Sequence, residues 1–331
     1  MSKRILVCGG AGYVGSHTVR RLVADGHDVV VLDNLSTGHR AAALGCPLVV
    51  GDLGDAATAS RVLADHRPEV VMHFAACTYV GESVKAPLVY YRNNVANTNT
   101  LLACMVEAGV KRFVFSSSCA VYGTPETLPM TEDLQKDQVS PYGRTKWIVE
   151  QILGDAAVAH ELGSISLRYF NAAGASSDAV IGEDHDPETH LIPLCIFAAT
   201  GAAKPLTIFG DDYDTPDGTC VRDYVHVEDL ADAHCRAIDA VRPGAADAYN
   251  LGTGNGNSVR EVIDAVQSIT GREVPHSIGP CRDGDPPALY ADATRARETL
   301  GWQPKFTALR DTVQTAWDWH RTHERGYDDR S

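Results

Sequence analysis

The stretch "SPYGRTKWIVEQIL", residues 140–153, sets a phenol (Tyr142) and an ammonium (Lys146) four positions apart. Ser140 followed by Pro141 predicts an N-cap and a first helical residue, so both side chains fall on one face of the helix that follows. A free tyrosine has a pKa of about 10 and is almost wholly protonated at neutral pH. A nearby cation favours the phenolate, and two together could lower the pKa by roughly 3 units, about 4 kcal/mol of differential stabilisation. Tyr142 so activated can take a proton from an alcohol. Ser118, which ends the run "RFVFSSS", carries a hydroxyl able to hold the same oxygen. Tyr-x-x-x-Lys pairs arise by chance on many helices, so the reading depends on what surrounds this one.

The surroundings begin with "GGAGYVGSH". It satisfies G-x-G-x-x-G through Gly10, Gly12 and Gly15, and G-x-x-G-x-x-G through Gly9, Gly12 and Gly15. A strand precedes it, an amphipathic helix follows, and a second strand ends in Asp33, the order a dinucleotide-binding turn requires. The glycines allow close backbone approach, and the helix start, with Tyr13 and Val14, offers N–H groups to a pyrophosphate. Asp33 lies 18 residues after Gly15, where its carboxylate can accept from ribose hydroxyls. It would repel a 2′-phosphate, which favours NAD over NADP. Oxidised nicotinamide then supplies the second cation for Tyr142. Asn34 and Ser36, just after Asp33, join the expected cofactor contacts. So do Asp52 and Leu53 of "VVGDL", where Asp52 either reaches the adenine edge or merely caps a turn.

These residues need a scaffold. Apolar runs ("RILVCGG", "HDVVVLDN", "CPLVVGDL", "PEVVMHFAA", "RFVFSSS") alternate with helical stretches, including a long one at about 88–108. Continuous apolar strands separated by helices indicate an α/β fold with a doubly wound parallel sheet of the Rossmann type, covered on both faces. From about residue 172 the chain turns rich in Gly, Pro and Asp, with loops of the length that usually carries function. "VEDLADAHCRAIDAV" reads as a helix and "AYNLGTG" as a strand returning to the sheet. The expected division is an NAD-binding domain at 1–171, with a return segment near 224–254, and a smaller discontinuous α/β domain at 172–331.

The bulk numbers exclude several classes. The net charge of −14 argues against a nucleic-acid or anionic-membrane partner. With 44% hydrophobic residues the chain has no tract of 18 consecutive apolar residues, and its N-terminal apolar run is too short for a signal peptide. Nine cysteines without a C-x-x-C pair suit a reducing cytoplasm.

The ordered motifs "GGAGYVGSH", "VVLDNLSTG", "GDLGD", "HFAA", "VGESVKAPLVYYRNNV", "FSSSCAVYG", "SPYGRTKWIVEQIL", "LRYFNAAGA", "HLIPL", "IFGDDYDTPDGTCVRDYVHVEDLADAH", "YNLGTG" and "RDGDPPALYAD" cover nearly the whole length. Together they resemble the extended short-chain dehydrogenase/reductase superfamily and, more closely, its UDP-glucose 4-epimerase family. The resemblance implies that Ser118, Tyr142 and Lys146 are catalytic and that Phe74, Ala75, Asn93 and Tyr169 line the cofactor pocket. It assigns Asn171, His190, Leu191, Thr207 and Phe209 to the UDP-sugar, along with Arg222, Arg282, Asp285 and Leu289. The two arginines suit a diphosphate, which a guanidinium grips bidentately. The implied cycle removes hydride from the sugar's fourth carbon, rotates the 4-keto sugar and returns the same hydride to the other face. A homodimer through helices around 92–108 and 142–160 is also implied. Three positions depart from the pattern: Thr78 replaces a lysine that contacts the cofactor, His190 replaces an asparagine, and Leu289 stands at the position that gates sugar size.

The nearest rival is a nucleotide-sugar 4,6-dehydratase, which places an Asp-Glu pair just after the strand-end hydroxyl. Cys119 and Ala120 stand there instead, so elimination has no obvious proton donor. Other 4-epimerases, acting on N-acetylhexosamines, uronates or pentoses, share the pattern. A non-catalytic NAD sensor would be expected to lose the tyrosine or the lysine. "GEDHDPETH", with His185 and His190, matches no standard zinc spacing and reads as a solvated loop, so no metal is expected. "DDYDTPDG" lacks the glutamate of an EF-hand. "WDWHRTHE" reads as a helix with Trp317 packed on the core, and Cys119 as a small packed residue.

Overall fold

The computed structural model describes residues 1–282 and 284–328. The apolar runs form the strands β1 (Arg4–Cys8), β2 (Asp28–Asp33), β3 (Leu48–Val50), β4 (Val70–His73), β5 (Arg112–Ser118) and β6 (Gly163–Tyr169). After the short β7 (Asn171–Ala173), β8 (Leu206–Phe209), β9 (Val221–Arg222) and β10 (Tyr224–His226), strand β11 (Ala246–Leu251) returns to the same sheet. The strand order is β11-β6-β5-β4-β1-β2-β3, every pairing parallel. This is a doubly wound Rossmann-type α/β fold.

Successive side chains on a strand point to opposite faces, which explains why these strands are apolar without a break. Ile5 and Val7 enter the core on one side, shared with Leu22 of the helix Tyr13–Ala24 and Leu230 of the helix Val227–Ala240. Leu6 and Cys8 enter the other, with Val62 of Ala56–His66, Leu101 of Asn97–Glu107 and Val149 of Pro141–His160. Each such large buried side chain contributes roughly 1.5–3 kcal/mol, so the sheet is the rigid part of the molecule. Connections leave β1 in both directions, and the crevice between the carboxyl ends of β1 and β4 is the switch point where open α/β sheets bind ligands.

The remaining strands make small sheets: β7 with β10, β8 with β13 (His276–Gly279), and β9 between β12 (Asn257–Ser258) and β14 (Ala288–Leu289). They pack on the helices Leu191–Thr200, Val259–Thr270 and Leu309–Thr322 around Ile196, Ile208, Val266 and Val313. A capping box, Ser258 with Glu261, starts the second of these helices.

One element differs from expectation. The long helix near 88–108 is Pro87–Tyr90, a π turn at Tyr91–Ala96, and then Asn97–Glu107. The wider turn falls where Asn94 is bound: its amide group accepts from Cys77 N at 2.8 Å and donates to Cys77 O at 2.9 Å and Thr145 Oγ1 at 3.1 Å. The last helix is as expected, and its fully buried ring is Trp319, whose indole N–H donates to Glu183 O at 3.2 Å. Trp317 is half-buried against the core.

Candidate active site

The glycine loop sits where β1 ends. Gly9 has φ +77°, and a Cβ there would lie 2.4 Å from Ala75 N, just past β4. A Cβ on Gly15 would lie 2.1 Å from Gly9 O. The backbone therefore closes into a cradle that no larger residue permits, and Gly12, with no side chain, leaves the helix start to a ligand. Asp33 is buried against this loop, accepting from Ala11 N at 2.9 Å and Leu35 N at 2.8 Å. Burial raises its pKa, which those two N–H groups oppose. A dinucleotide's pyrophosphate and ribose fit this donor and acceptor set.

Other expected cofactor residues border the crevice. Asn34 and Ser36 are exposed beyond Asp33, with Asn34 Oδ1 accepting from Ser36 N at 3.0 Å. Asp52 is a turn aspartate that accepts from Gly54 N (2.7 Å), Asn97 Nδ2 (3.1 Å) and Asn34 Nδ2 (3.2 Å), while Leu53 is in the core. Val14 packs on the other face, and Tyr13 donates through its hydroxyl to Gly174 O at 2.5 Å, joining the loop to the second region. Phe74 is half-buried at 4.6 Å from the His234 ring. Asn93 donates to Asn94 Oδ1 at 3.0 Å, and Thr78 is exposed.

The helix of the candidate catalytic pair starts as its sequence dictates: Ser140 Oγ accepts from Gly143 N at 3.1 Å, and Pro141 is the first residue. Tyr142 and Lys146 are both buried, and Lys146 Nζ stands 5.9 Å from the Tyr142 ring centroid. Ser118 Oγ accepts from Ala120 N at 3.2 Å and stands near enough to Tyr142 to act on its phenol. Tyr169, whose hydroxyl bonds Ser116 Oγ, lies alongside and is pushed up by burial to about 12.

The electrostatics correct one expectation. Lys146 was expected to pull the Tyr142 phenol toward ionisation, yet burial drives the phenol well above its ordinary pKa, Tyr169 adds to the rise, and only Ser118 opposes it. The Lys146 ammonium donates to Ser116 O at 2.8 Å and lies 4.9 Å from the Phe115 ring. Desolvation brings Lys146 itself down to about 7. Taking either group out of water costs more than their mutual attraction returns, so the protein's own groups keep Tyr142 a phenol. Cys119 is a half-buried thiol pushed up by desolvation to about 12, no nucleophile.

The second region presents the expected substrate residues. Leu289 pairs with Arg222 across β14 and β9. Arg222 Nη2 meets Asp285 Oδ1 at 2.5 Å, so Asp285 orients the guanidinium rather than standing free. The Arg222 charge also acts on Cys119, beside Ser118. Along β8, Leu206 and Ile208 face the core while Thr207 and Phe209 face out, Phe209 with 39% of its surface exposed. Arg282 stacks on that ring, its Cζ 3.9 Å from the centroid. Asn171, His190 and Leu191 line a cleft with Glu183 and Tyr224.

The solvated-loop reading of "GEDHDPETH" fails. The side chains of Glu183 and Glu188 are only 4% and 6% exposed, and His185 and His190 converge on them. These carboxylates raise His190 and lift His185 to about 10 against the opposing effect of burial, while Glu183 is held far below its ordinary value although burial opposes it. By contrast "DDYDTPDG" is a turn closed by Asp217, which accepts from Thr219 N at 2.8 Å.

Sequence reasoning missed the network behind the catalytic helix. Glu150, one turn beyond Lys146, accepts from Ser117 Oγ and Arg168 Nη2, and Arg168 donates to the Tyr122 hydroxyl at 2.8 Å. Tyr122 in turn donates to Asn250 Oδ1 at 2.6 Å. The i+4 spacing of Glu150 from Lys146 on a buried face was the available signal.

The profile of the NAD dependent epimerase/dehydratase family matches residues 5–252, and the chain belongs to that family. It is similar to the UDP-glucose 4-epimerase of Lactobacillus helveticus, 50% identical, with 99% of this chain and 100% of the relative covered. A crystal structure of UDP-glucose 4-epimerase from Brucella ovis in complex with NAD superposes with a TM-score of 0.93 at 48% identity, covering 96% of this chain and 98% of that one. The Bifidobacterium longum enzyme in complex with NAD+ and UDP gives 0.94 at 40% identity, covering 98% and 100%.

Proposed function

We propose that the chain interconverts UDP-galactose and UDP-glucose by NAD-dependent 4-epimerisation through a transient 4-keto sugar. The observation that carries this is the buried Tyr142 phenol beside the buried Ser118 at the carboxyl end of the sheet that also bears the glycine cradle. The relatives' names and the bound NAD and UDP of the solved structures support it. Bound NAD supplies hydride acceptance and return at the sugar's fourth carbon.

The chain's own residues do the rest. Gly9, Gly12 and Gly15 cradle the pyrophosphate, and Asp33 accepts from the ribose. Ser118 holds the 4-hydroxyl oxygen while Tyr142 takes and later returns its proton. Because the protein alone holds Tyr142 protonated, the base form awaits the added positive charge of the oxidised nicotinamide, which ties proton removal to hydride removal. Lys146 anchors on Ser116 O and supports the same face. Arg222, oriented by Asp285, and Arg282, stacked on Phe209, suit the diphosphate, leaving the sugar loosely held so that it can turn. Leu289 beside Arg222 sets the room for the sugar.

We read residues 1–171 with the return segment near 224–254 as the cofactor unit and 172–331 as the sugar unit. Nine free cysteines suit the cytoplasm, and among the described residues no helix is long and apolar enough to cross a membrane. A homodimer is supported by the exposed Leu88, Val84 and Val89, at 80%, 63% and 53%, just before residue 92. Sedimentation at micromolar concentration should give twice the 35.5 kDa chain mass, with monomer for Leu88→Glu. Purified protein given UDP-galactose without added NAD should form UDP-glucose with no net NADH. A 4-keto-6-deoxy product would indicate the dehydratase, and no turnover even with added NAD would sink the proposal.

A further inference from the structure

Glu183, His185, Glu188 and His190 come from one nine-residue segment and turn inward together. Their ligand atoms, one per residue, all lie within 4.8 Å of one another. His185 Nδ1 is 3.3 Å from Glu183 Oε1 and 3.6 Å from Glu188 Oε2. His190 Nδ1 contacts Glu183 Oε1 and lies 3.9 Å from Glu188 Oε1. A tetrahedral zinc ion with Zn–N and Zn–O bonds of about 2.0–2.2 Å separates neighbouring donors by roughly 3.3–3.6 Å, so the two His185 spacings suit one ion at the centre, while His190 and Glu183 must draw apart to admit it.

One further fact favours an ion over a simple ion pair. His185 Nδ1 is buried and, although Glu183 Oε1 lies 3.3 Å away, it makes no hydrogen bond of ordinary geometry among the described residues. An ion binding here would displace the protons that the two imidazoles otherwise hold, and its two positive charges would then balance the two carboxylates. The donors are fixed from outside: Trp319 Nε1 donates to Glu183 O at 3.2 Å, and the Tyr79 hydroxyl donates to Pro187 O at 3.2 Å. The ring of Tyr13, from the glycine loop, stands edge-on to His185 at 6.2 Å.

We propose that Glu183, His185, Glu188 and His190 bind one divalent transition-metal ion of the zinc type, which ties the segment carrying His190 and Leu191 to the floor of the substrate cleft. With its Nδ1 on the ion, His190 carries its proton on Nε2 and offers that N–H to the cleft shared with Asn171 and Leu191. Nothing in the epimerisation chemistry uses this ion; its work is positioning.

The test uses the full-length, tag-free protein, stripped with EDTA, dialysed, and titrated with zinc against a chromophoric chelator. One zinc per chain, bound at micromolar Kd or tighter, is expected. His185→Asn and Glu188→Gln should each weaken binding about a hundredfold or more, with near-native far-ultraviolet circular dichroism showing that the variants fold. Cobalt in place of zinc should give the visible bands of a tetrahedral nitrogen and oxygen site. Absence of stoichiometric zinc binding, affinity unchanged in the folded variants, or a thiolate-to-cobalt charge-transfer band would each overturn the proposal.

Discussion

The carboxyl end of the main sheet and the small sheets facing it hold their functional groups by different means. On the main sheet, Tyr142, Lys146, Ser118 and Asp33 are buried, and each is held by backbone or hydroxyl partners within a core of interdigitating strands and helices. On the facing side, strands of two to four residues carry Arg222, Phe209 and Leu289, and the groups are held by one another: Arg222 by Asp285, Arg282 by Phe209. Burial buys positional accuracy at the cost of perturbing every titratable group it encloses. Exposure leaves charges available to a charged ligand. Chemistry should therefore depend on the first region and affinity on the second.

The sharpest way to break that division is Tyr142→Phe, which keeps the ring and removes the proton carrier. It should lower kcat by about a hundred- to ten-thousandfold with KM nearly unchanged in steady-state assays. A kcat within threefold of the unsubstituted protein would end the proposed role. Next comes the support behind the helix: Glu150→Ala strands the buried Arg168 guanidinium and should cost about 3–5 kcal/mol in chemical denaturation. A loss near zero would mean that Tyr122 and solvent satisfy Arg168 unaided.

Across the cleft, Arg222→Ala should raise KM for the UDP-sugar about ten- to a hundredfold, the worth of a charge-assisted contact, with a much smaller change in kcat. If kcat fell as far as in Tyr142→Phe, the two regions would not be separable.

The smallest effect per group is in pH. Burial lowers His17 and His234 to about 4 and His73 to about 3. A depressed pKa means that the unfolded chain binds the proton first, so stability is intact above about 6.5 and falls as pH drops toward these values. Each histidine contributes about 1.4 kcal/mol per pH unit within that window. In the metal-free protein His185 has the opposite sign: raised to about 10, it adds stability that is complete below about 6.5 and lost as pH climbs through 10. Denaturation midpoints of His234→Asn should flatten on the acid side alone; an unchanged acid limb would refute the assignment.

Much of this was legible before any coordinates. The strand runs, the glycine turn with Asp33 and the Ser140-Pro141 start of the catalytic helix follow from short-range rules, because backbone sterics, capping and side-chain period act within a few residues. The inward turn of Glu183 and His185 was invisible because their spacing matches no local signature, and the Glu183 backbone is tied to Trp319, more than a hundred residues away. The network from Glu150 to Asn250 was hidden for the same reason.

The amino-acid order by itself determined the alternation of strand and helix, the cofactor turn, and the shared helix face of Tyr142 and Lys146, since each rests on contacts between near neighbours in the chain. Only the tertiary structure decided the charge state of that face. It encloses Tyr142 and Lys146 deeply enough that lost hydration outweighs their attraction, holding the tyrosine protonated and bringing the lysine down to about 7. Dielectric surroundings are a property of everything packed around a group, and no local pattern encodes them.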